Sequence, residues 1–324
     1  MDAIRITPDL KAMGATTVTN MYMTEGDEAN TFYITTPPSP NALDKGWYVA
    51  VPGTEYGGKV RNPSSVNENK YSALKYNGVT WGGLLDEHII CPNGSDAHYH
   101  LKGEANHVIE QLISYLGLTG IFVADTSNSG ITLNYDVRFV SAFQALRTAL
   151  FRVGARLSHV YDFQRRRCVL KAVNVDQKRG RTYVSDADNV TITRYTPVNH
   201  LICVGEGEMQ ERVVIHLYAD KDGNISKTQS LFGVDEVAQL YEYTSADAET
   251  LEAEGRRTLA ELQVFKAVEV GIPSASSDIH DLDDIIRALD VATGETVRAR
   301  IIKKTLEIDH QDRVAASYET RAID

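Results

Sequence analysis

A chain of 324 residues with 43% hydrophobic and 24% charged side chains has a globular composition and the length for two or three domains, which excludes wholesale disorder. Its 44 acidic and 33 basic residues leave a formal net charge of −11, which argues against a groove that grips nucleic acid, where basic side chains must neutralise phosphates. No run approaches the roughly 18 apolar residues that span a bilayer. The opening MDAIRITPDLKAMG lacks the charged-then-apolar order of a secretion signal, so a soluble protein with no membrane anchor, made in a cytoplasm, is expected.

The first ninety residues read as strands and turns. Residues 30–37 alternate polar and apolar and stop at Pro37-Pro38, a strand with its breaker. Residues 46–60 give two short strands around a turn carrying Pro52, Gly53, Gly57 and Gly58. In 70–81 the Asn77-Gly78 dipeptide predicts a hairpin turn, because both residues tolerate positive φ. Trp81 with Gly82 and Gly83 after it suggests close backbone packing around a buried indole.

Past residue 103 the period changes. Val108, Leu112, Ile113 and Leu116 stand at helical spacing, with Gly117 as the stop. A second helix opens at Ser141 and places Phe143, Leu146, Leu150 and Val153 on one face, with Gly154 near its end. Residues 131–140 read as a strand between them, and 157–173 as a hairpin with Arg165-Arg166-Arg167 at a solvated tip. From about 185 strands return. A helix is expected from Ser245 to about Phe265, then a loop and short turn over 278–290, then a strand over 297–308.

Patterns that invite chemistry read more simply as structure. His98 and His100 beside Asp96 have no third ligand at a zinc spacing. The Asp220–Asn224 run lacks the glycine and glutamate that a calcium loop needs at its sixth and twelfth positions, so a hairpin turn is expected. The acidic run Asp278–Asp284 reads as a solvated loop. Gly205-x-Gly207 is no phosphate motif, because no glycine-rich turn here links a strand to a helix N-terminus. Cys91, Cys168 and Cys203 stand far apart and read as reduced, partly buried thiols. There is no G-x-S-x-G and no H-E-x-x-H, so neither a catalytic residue nor a cofactor is expected.

The glycine-rich turns carry a resemblance. GTEYGGKV, followed by a strand, a hairpin and YNGVTWGGLLDEHIICP, resembles the N-terminal region of phage tail-tip or baseplate-hub proteins, the tail-associated hub family of long-tailed phages and prophages, mostly of Gram-positive hosts. GEANHVIEQLISYLGLTGIF, SGITLNYDVRFVSAFQALRTAL and NHLICVGEGEMQERVVIHLYADKDGNIS continue it in order, over about residues 30–310. The motif residues are structural: Gly53, Thr54, Glu55, Gly57, Gly58, Trp81, Gly82 and Gly83. The four glycines at 57, 58, 82 and 83 are expected where a side chain would clash or φ is positive, and Trp81 in the core.

The resemblance implies a β-rich α+β fold with two tail-tube-like β-barrels and a small α/β domain. On that reading residues 1–95 form the first barrel, 96–180 the α/β domain, and 181–324 the second barrel with a helical insertion, the barrels being free to be discontinuous in sequence. It implies a structural role in the virion tail tip. A homotrimer would continue the tail tube, close or gate the DNA channel, and anchor fibres or receptor-binding tip proteins. Its partners would be the distal tail protein ring and the tape-measure protein, with genome DNA passing through the channel without specific binding. A tail-associated cell-wall hydrolase of endopeptidase type is the alternative. The same hub in a phage-like injection machine without DNA is not separated from it by sequence.

Overall fold

A computed structural model describes residues 1–27, 29–39, 42–68, 71–92, 97–175, 182–184, 190–194, 196–244, 246–263, 266–272, 280–311 and 313–323. The chain begins with seven strands: β1 (Asp2–Ile6), β2 (Ala12–Thr17), β3 (Asn20–Gly26), β4 (Thr31–Thr36), β5 (Tyr48–Ala50), β6 (Gly57–Glu68) and β7 (Tyr71–Thr80). The short helix α1 (Trp81–Asp86) precedes β8 (Tyr99–Glu104), α2 (Ala105–Tyr115), β9 (Phe122–Ala124), β10 (Thr132–Val137) and α3 (Ala142–Arg152). A hairpin of β11 (Ala155–Asp162) and β12 (Arg167–Asn174) leads to β13 (Thr182–Val184), β14 (Val190–Arg194), β15 (His200–Val204), β16 (Val214–Ala219), β17 (Ile225–Ser226) and β18 (Ala238–Glu242). The helix α4 (Ala248–Glu261) and strands β19 (Lys266–Ile272), β20 (Ile285–Asp290), β21 (Glu295–Ile308) and β22 (Val314–Ala322) complete it.

The chain divides into two compact units, one of Met1–Thr191 with Glu269–Ile323 and one of Ile192–Val268. In the larger unit a long antiparallel sheet runs β22-β21-β3-β4-β7-β6-β5-β1-β2, so strands from both ends of the sequence share it. The joint is β3 on β21, with Lys303 opposite Gly26 and Ile308 opposite Met21. β20 pairs with the first half of β21, and β13 lies parallel to β20. Residues 97–175 mix strands and helices within the same unit: β8 pairs β10, and β9 pairs β12 of the hairpin. The fold is β-rich, and none of its sheets closes on itself among the described residues.

The two helices of that segment follow their local signals. The Ser141 hydroxyl accepts the Gln144 N–H at 3.2 Å, and Gly154 at φ +73° takes the left-handed position beyond the last turn of α3. Phe143, Leu146 and Leu150 are buried, whereas Val153, at the C-cap, is 44% exposed and leaves the expected face. In α2 Glu104 caps the N-terminus by accepting from His107 N at 2.9 Å, and Gly117 at φ +69° ends the helix. In α4 the cap is Asp247, accepting from Thr250 N at 2.8 Å; Ser245 lies outside the described residues.

Two local expectations are corrected. Asn77-Gly78 is no turn: both residues lie inside β7, with Gly78 opposite Phe32 on one side and Val60 on the other. A Cβ on Gly78 would stand 2.3 Å from the Lys59 carbonyl oxygen and 2.5 Å from Phe32 Cζ, so glycine serves close approach of strands here. β6 and β7 pair with Glu68 opposite Tyr71, and residues 69–70 between them lie outside the described ones. Residues 285–290, read as loop and turn, are the strand β20, antiparallel to β21.

The smaller unit is a four-stranded sheet, β17-β16-β15-β18, with α4 on one face. Leu201, Cys203, Leu217 and Ala219 form its core with Leu251 and Leu259 of the helix. Gly255 lets the helix settle, because a Cβ there would meet Cys203 Sγ at 2.5 Å.

Candidate functional site

The two glycine-rich motifs meet in the larger unit. Gly53, at φ +75°, turns the chain in open space. Thr54 Oγ1 donates to the Val51 carbonyl at 2.9 Å and accepts the Tyr56 N–H at 3.1 Å, which closes the turn. Gly57 and Gly58, at φ +152° and +154°, run flush against neighbouring backbone. A Cβ on Gly58 would lie 1.9 Å from the Val79 oxygen, and one on Gly57 would lie 2.3 Å from the Val49 oxygen and 2.9 Å from Trp81 Nε1. Trp81 is fully buried between Tyr48 and Tyr161, with ring centroids at 5.9 and 5.5 Å in stacked geometry.

Trp81 also begins α1, and the next two glycines are explained by what caps that helix. Thr80 Oγ1 accepts the Gly83 N–H at 3.0 Å and donates to Glu25 Oε1 at 2.8 Å, and Gly82 N–H donates to the same oxygen at 3.0 Å. A Cβ on Gly82 would fall 2.2 Å from that carboxylate oxygen, and one on Gly83 2.4 Å from the Asn30 oxygen. The other oxygen of Glu25 faces His159 Nε2 at 3.0 Å, and both side chains are only 3% exposed.

Glu55 begins a second chain of buried charge. Its carboxylate takes the Lys304 ammonium at 2.6 Å, and Lys304 stands 3.7 Å from Asp281. Burial works against the Lys304 charge, but Glu55, Tyr56 and Asp281 together hold its pKa above the ordinary lysine value. Asp281 belongs to a turn that four basic residues grasp. Arg156 pairs with Asp281 at 2.5 Å and with Asp284 at 3.1 Å. Arg147, 1% exposed, forms a two-pronged contact to Asp283 at 2.7 and 2.9 Å and reaches Asp27 at 2.8 Å. Arg300 joins Asp283 at 2.7 Å and lies over the Phe151 ring at 3.9 Å.

This overturns the reading of the acidic run as a solvated loop. Asp283 and Asp284 are buried, and Asp283 takes φ +70°, a conformation Asp tolerates better than most residues. Asp278 lies outside the described residues.

The remaining suggestive patterns are structural. His100 Nδ1 pairs with Asp136 at 2.6 Å on an exposed strand, and Asp96 lies outside the described residues. Asp220 accepts from Asp222 N and Asn224 N at 2.8 and 2.9 Å, a hairpin turn between β16 and β17. Arg165 and Arg166 are exposed at the β11–β12 tip. Gly207 takes φ +98°, and a Cβ on Gly205 would meet the Ala246 oxygen at 2.6 Å. Cys168 and Cys203 are buried and Cys91 exposed, all free; burial pushes the Cys203 thiol up to about 11. Among the described residues no group of three or more His, Cys, Asp or Glu side chains is placed to hold a metal ion.

The Glu25–His159 pair carries a pH signature. For His159 burial is the largest influence and opposes the charge, yet Glu25, with Glu55 and Asp281 beyond, carries its pKa above the usual imidazole value. For Glu25 burial pushes upward, and His159, Thr80 and the Gly82 N–H together bring it below the ordinary carboxylate value. A raised histidine stabilises the fold below its unfolded pKa and loses that contribution as pH rises through the folded one; a lowered glutamate loses its contribution as pH falls. The parent is therefore expected to lose melting temperature as pH climbs from about 6.5 toward 9, and His159→Gln to lose much less over that span. Parallel slopes in the two melting curves would show the pair to be electrostatically silent.

No family model matches the sequence, and no curated protein matches it. Solved structures do. The 43 kDa tail protein of prophage MuSo2 from Shewanella oneidensis aligns with a TM-score of 0.60 at 11% identity, over 99% of this chain and 98% of that one. The tail protein from Neisseria meningitidis MC58 aligns at 0.57 and 10% identity, over 99% and 96%. Prophage tail protein gp18 from Listeria monocytogenes EGD-e aligns at 0.50 and 13% identity, over 100% and 95%. The chain has, from end to end, the fold of phage tail proteins that its glycine motifs resemble.

Proposed function

We propose that this chain is a structural baseplate-hub or tail-tip protein of a phage tail. The observation that carries the reading is the match to prophage tail proteins across nearly the whole of both chains. The interior chemistry supports it: Glu25 and His159 are sealed from solvent and hold each other and the start of α1, a use of acid–base groups as scaffold. On this reading the protein is not an enzyme and needs no cofactor.

In the finer form of the proposal, three copies form a ring that continues the tail tube and closes or gates its channel. Each copy contributes two tube-like barrels, whose discontinuous segments fit a sheet shared by strands from both ends of the chain. The ring binds the distal tail protein and the tape-measure end on one side and fibres or tip proteins on the other. Electron cryo-microscopy of intact tails should show three copies at the tail end. A sixfold ring or a single copy there would defeat the proposal.

The charge adds a second expectation. Three copies at −11 each allow a carboxylate-lined lumen that repels phosphates over about a Debye length, roughly 8 Å at physiological salt, so DNA passes without adhering. A surface-potential map of the assembled ring should be negative along its inner wall. A neutral or basic wall removes the charge argument.

A further inference from the structure

The smaller unit leaves one sheet edge uncovered, together with the part of one face beside it, although His200 and Val204 on that face are buried. Alternation along the strands sends Leu201, Cys203 and Leu217 toward α4 and the residues between them to the opposite face. There Ile202 lies between His216 and Leu240, and Val204 beside Val214. Leu240 is 55% exposed and Val214 50%. In the loop that enters β18, Phe232 and Val234 are 63% and 100% exposed. Exposed apolar side chains gathered on one surface mark a contact site more than scattered ones do.

The edge is β18, which pairs only with β15 among the described residues. Val237 O accepts the His200 N–H at 3.1 Å and Tyr243 N–H donates to Val204 O at 2.9 Å, so the alternate residues Ala238, Leu240 and Glu242 turn their backbone N–H and C=O groups outward. Edge strands are commonly guarded by lysine, proline or a bulge; this one reads Ala-Gln-Leu-Tyr-Glu and carries none of them.

The surroundings select the occupant. Residues 192–268 carry 13 acidic and 7 basic side chains, a net −6. Around this sheet Glu206, Glu208, Glu211 and Asp235 are exposed and Glu242 is 54% exposed, against Arg212, which stands 3.9 Å from Glu242, and Arg257, which pairs with Glu254 at 2.8 Å. A second copy of this chain, or an anionic lipid surface, would bring like charge to that rim.

We propose that β18 and the face beside it form a docking site for a basic, extended segment of another protein, added to the sheet as a further strand. Its backbone pairs with Ala238, Leu240 and Glu242, its apolar side chains cover Leu240 and Ile202, and its lysines or arginines meet the acidic rim.

The test uses the full chain and three synthetic peptides: one alternating lysine and valine, one alternating glutamate and valine, and the lysine peptide with alternate amides N-methylated. Calorimetry should show binding of the first alone, weakening as salt screens the exposed rim. Leu240→Glu should weaken it by at least about tenfold, although the added charge favours a cationic ligand, and Leu240→Val should keep it. Circular dichroism and melting of Leu240→Glu should match the parent, because the side chain is half exposed. The proposal falls if the lysine peptide does not bind, or if the glutamate peptide binds equally. It falls also if N-methylation or Leu240→Glu leaves affinity unchanged, since charge alone then explains the contact. Self-association of the parent that Leu240→Glu abolishes would assign the face to a second copy and overturn it too.

Discussion

Asp283→Ala should cost about 3–5 kcal/mol of stability, the range for breaking a buried ion pair by removing one partner. The loss comes less from the vanished attraction than from what remains. Arg147 keeps Asp27 but loses its two-pronged partner while 1% exposed, and Arg300 is left over Phe151 without the Asp283 carboxylate. A guanidinium does not shed its proton to escape, so both cations stay charged in a poorly solvated interior. Glu319→Ala is the matched control: its carboxylate also pairs at 2.6 Å, with Lys303, but is 53% exposed. Surface pairs of that kind are worth roughly 0–1 kcal/mol. Urea unfolding of the three proteins decides the matter, and equal midpoints for parent and Asp283→Ala would mean that the turn is not held as described.

Trp81→Ala should cost a similar amount, about 3–5 kcal/mol, through a different cause. The indole fills the space between Tyr48 and Tyr161 and forms the wall against which Gly57 runs, so its removal leaves a cavity edged by backbone that cannot collapse. Trp81 Nε1 has no hydrogen-bond partner within the described structure. A phenyl ring therefore breaks no polar contact, and Trp81→Phe should lose only roughly 1–2 kcal/mol of volume and stacking. Thermal melts of both variants give the comparison. Equal losses for Phe and Ala would indicate that the indole nitrogen, and not the ring's bulk, matters at this position.

What the sequence reveals here depends on how far away the cause lies. Helices α2 and α3 are legible because their caps and apolar period sit within the same dozen residues, and the β11–β12 hairpin for a similar reason. Asn77-Gly78 misleads because a local turn preference yields to a non-local need, the approach of Phe32 and Lys59. The acidic turn misleads more, since Arg147 and Arg156 join it from more than a hundred residues away. Other buried charges did leave a local trace. Met21, Met23 and Glu25 share one inward row of β3, Leu157, His159 and Tyr161 one row of β11, and Lys304, Leu306 and Ile308 one row of β21. A charged residue standing at an inward position of an otherwise apolar row is the sign of a buried pair. From sequence Glu55 reads only as part of a turn, because its partner Lys304 stands 249 residues away.

The pairing of β3 with β21 sets a schedule for the protein's birth. A ribosome adding about 5–20 residues per second needs roughly 15–55 s between exposing Gly26 and exposing Lys303. Through that interval the hairpin strands β3 and β4 present an unsatisfied border on which any extended chain can settle, including a sister polypeptide on the same message. The smaller unit, whose β15–β16 pairing and helix are local, can complete itself meanwhile. Synthesis therefore leaves the nascent larger sheet dependent on the late strand β21, and chains cut short before it are the ones that will aggregate.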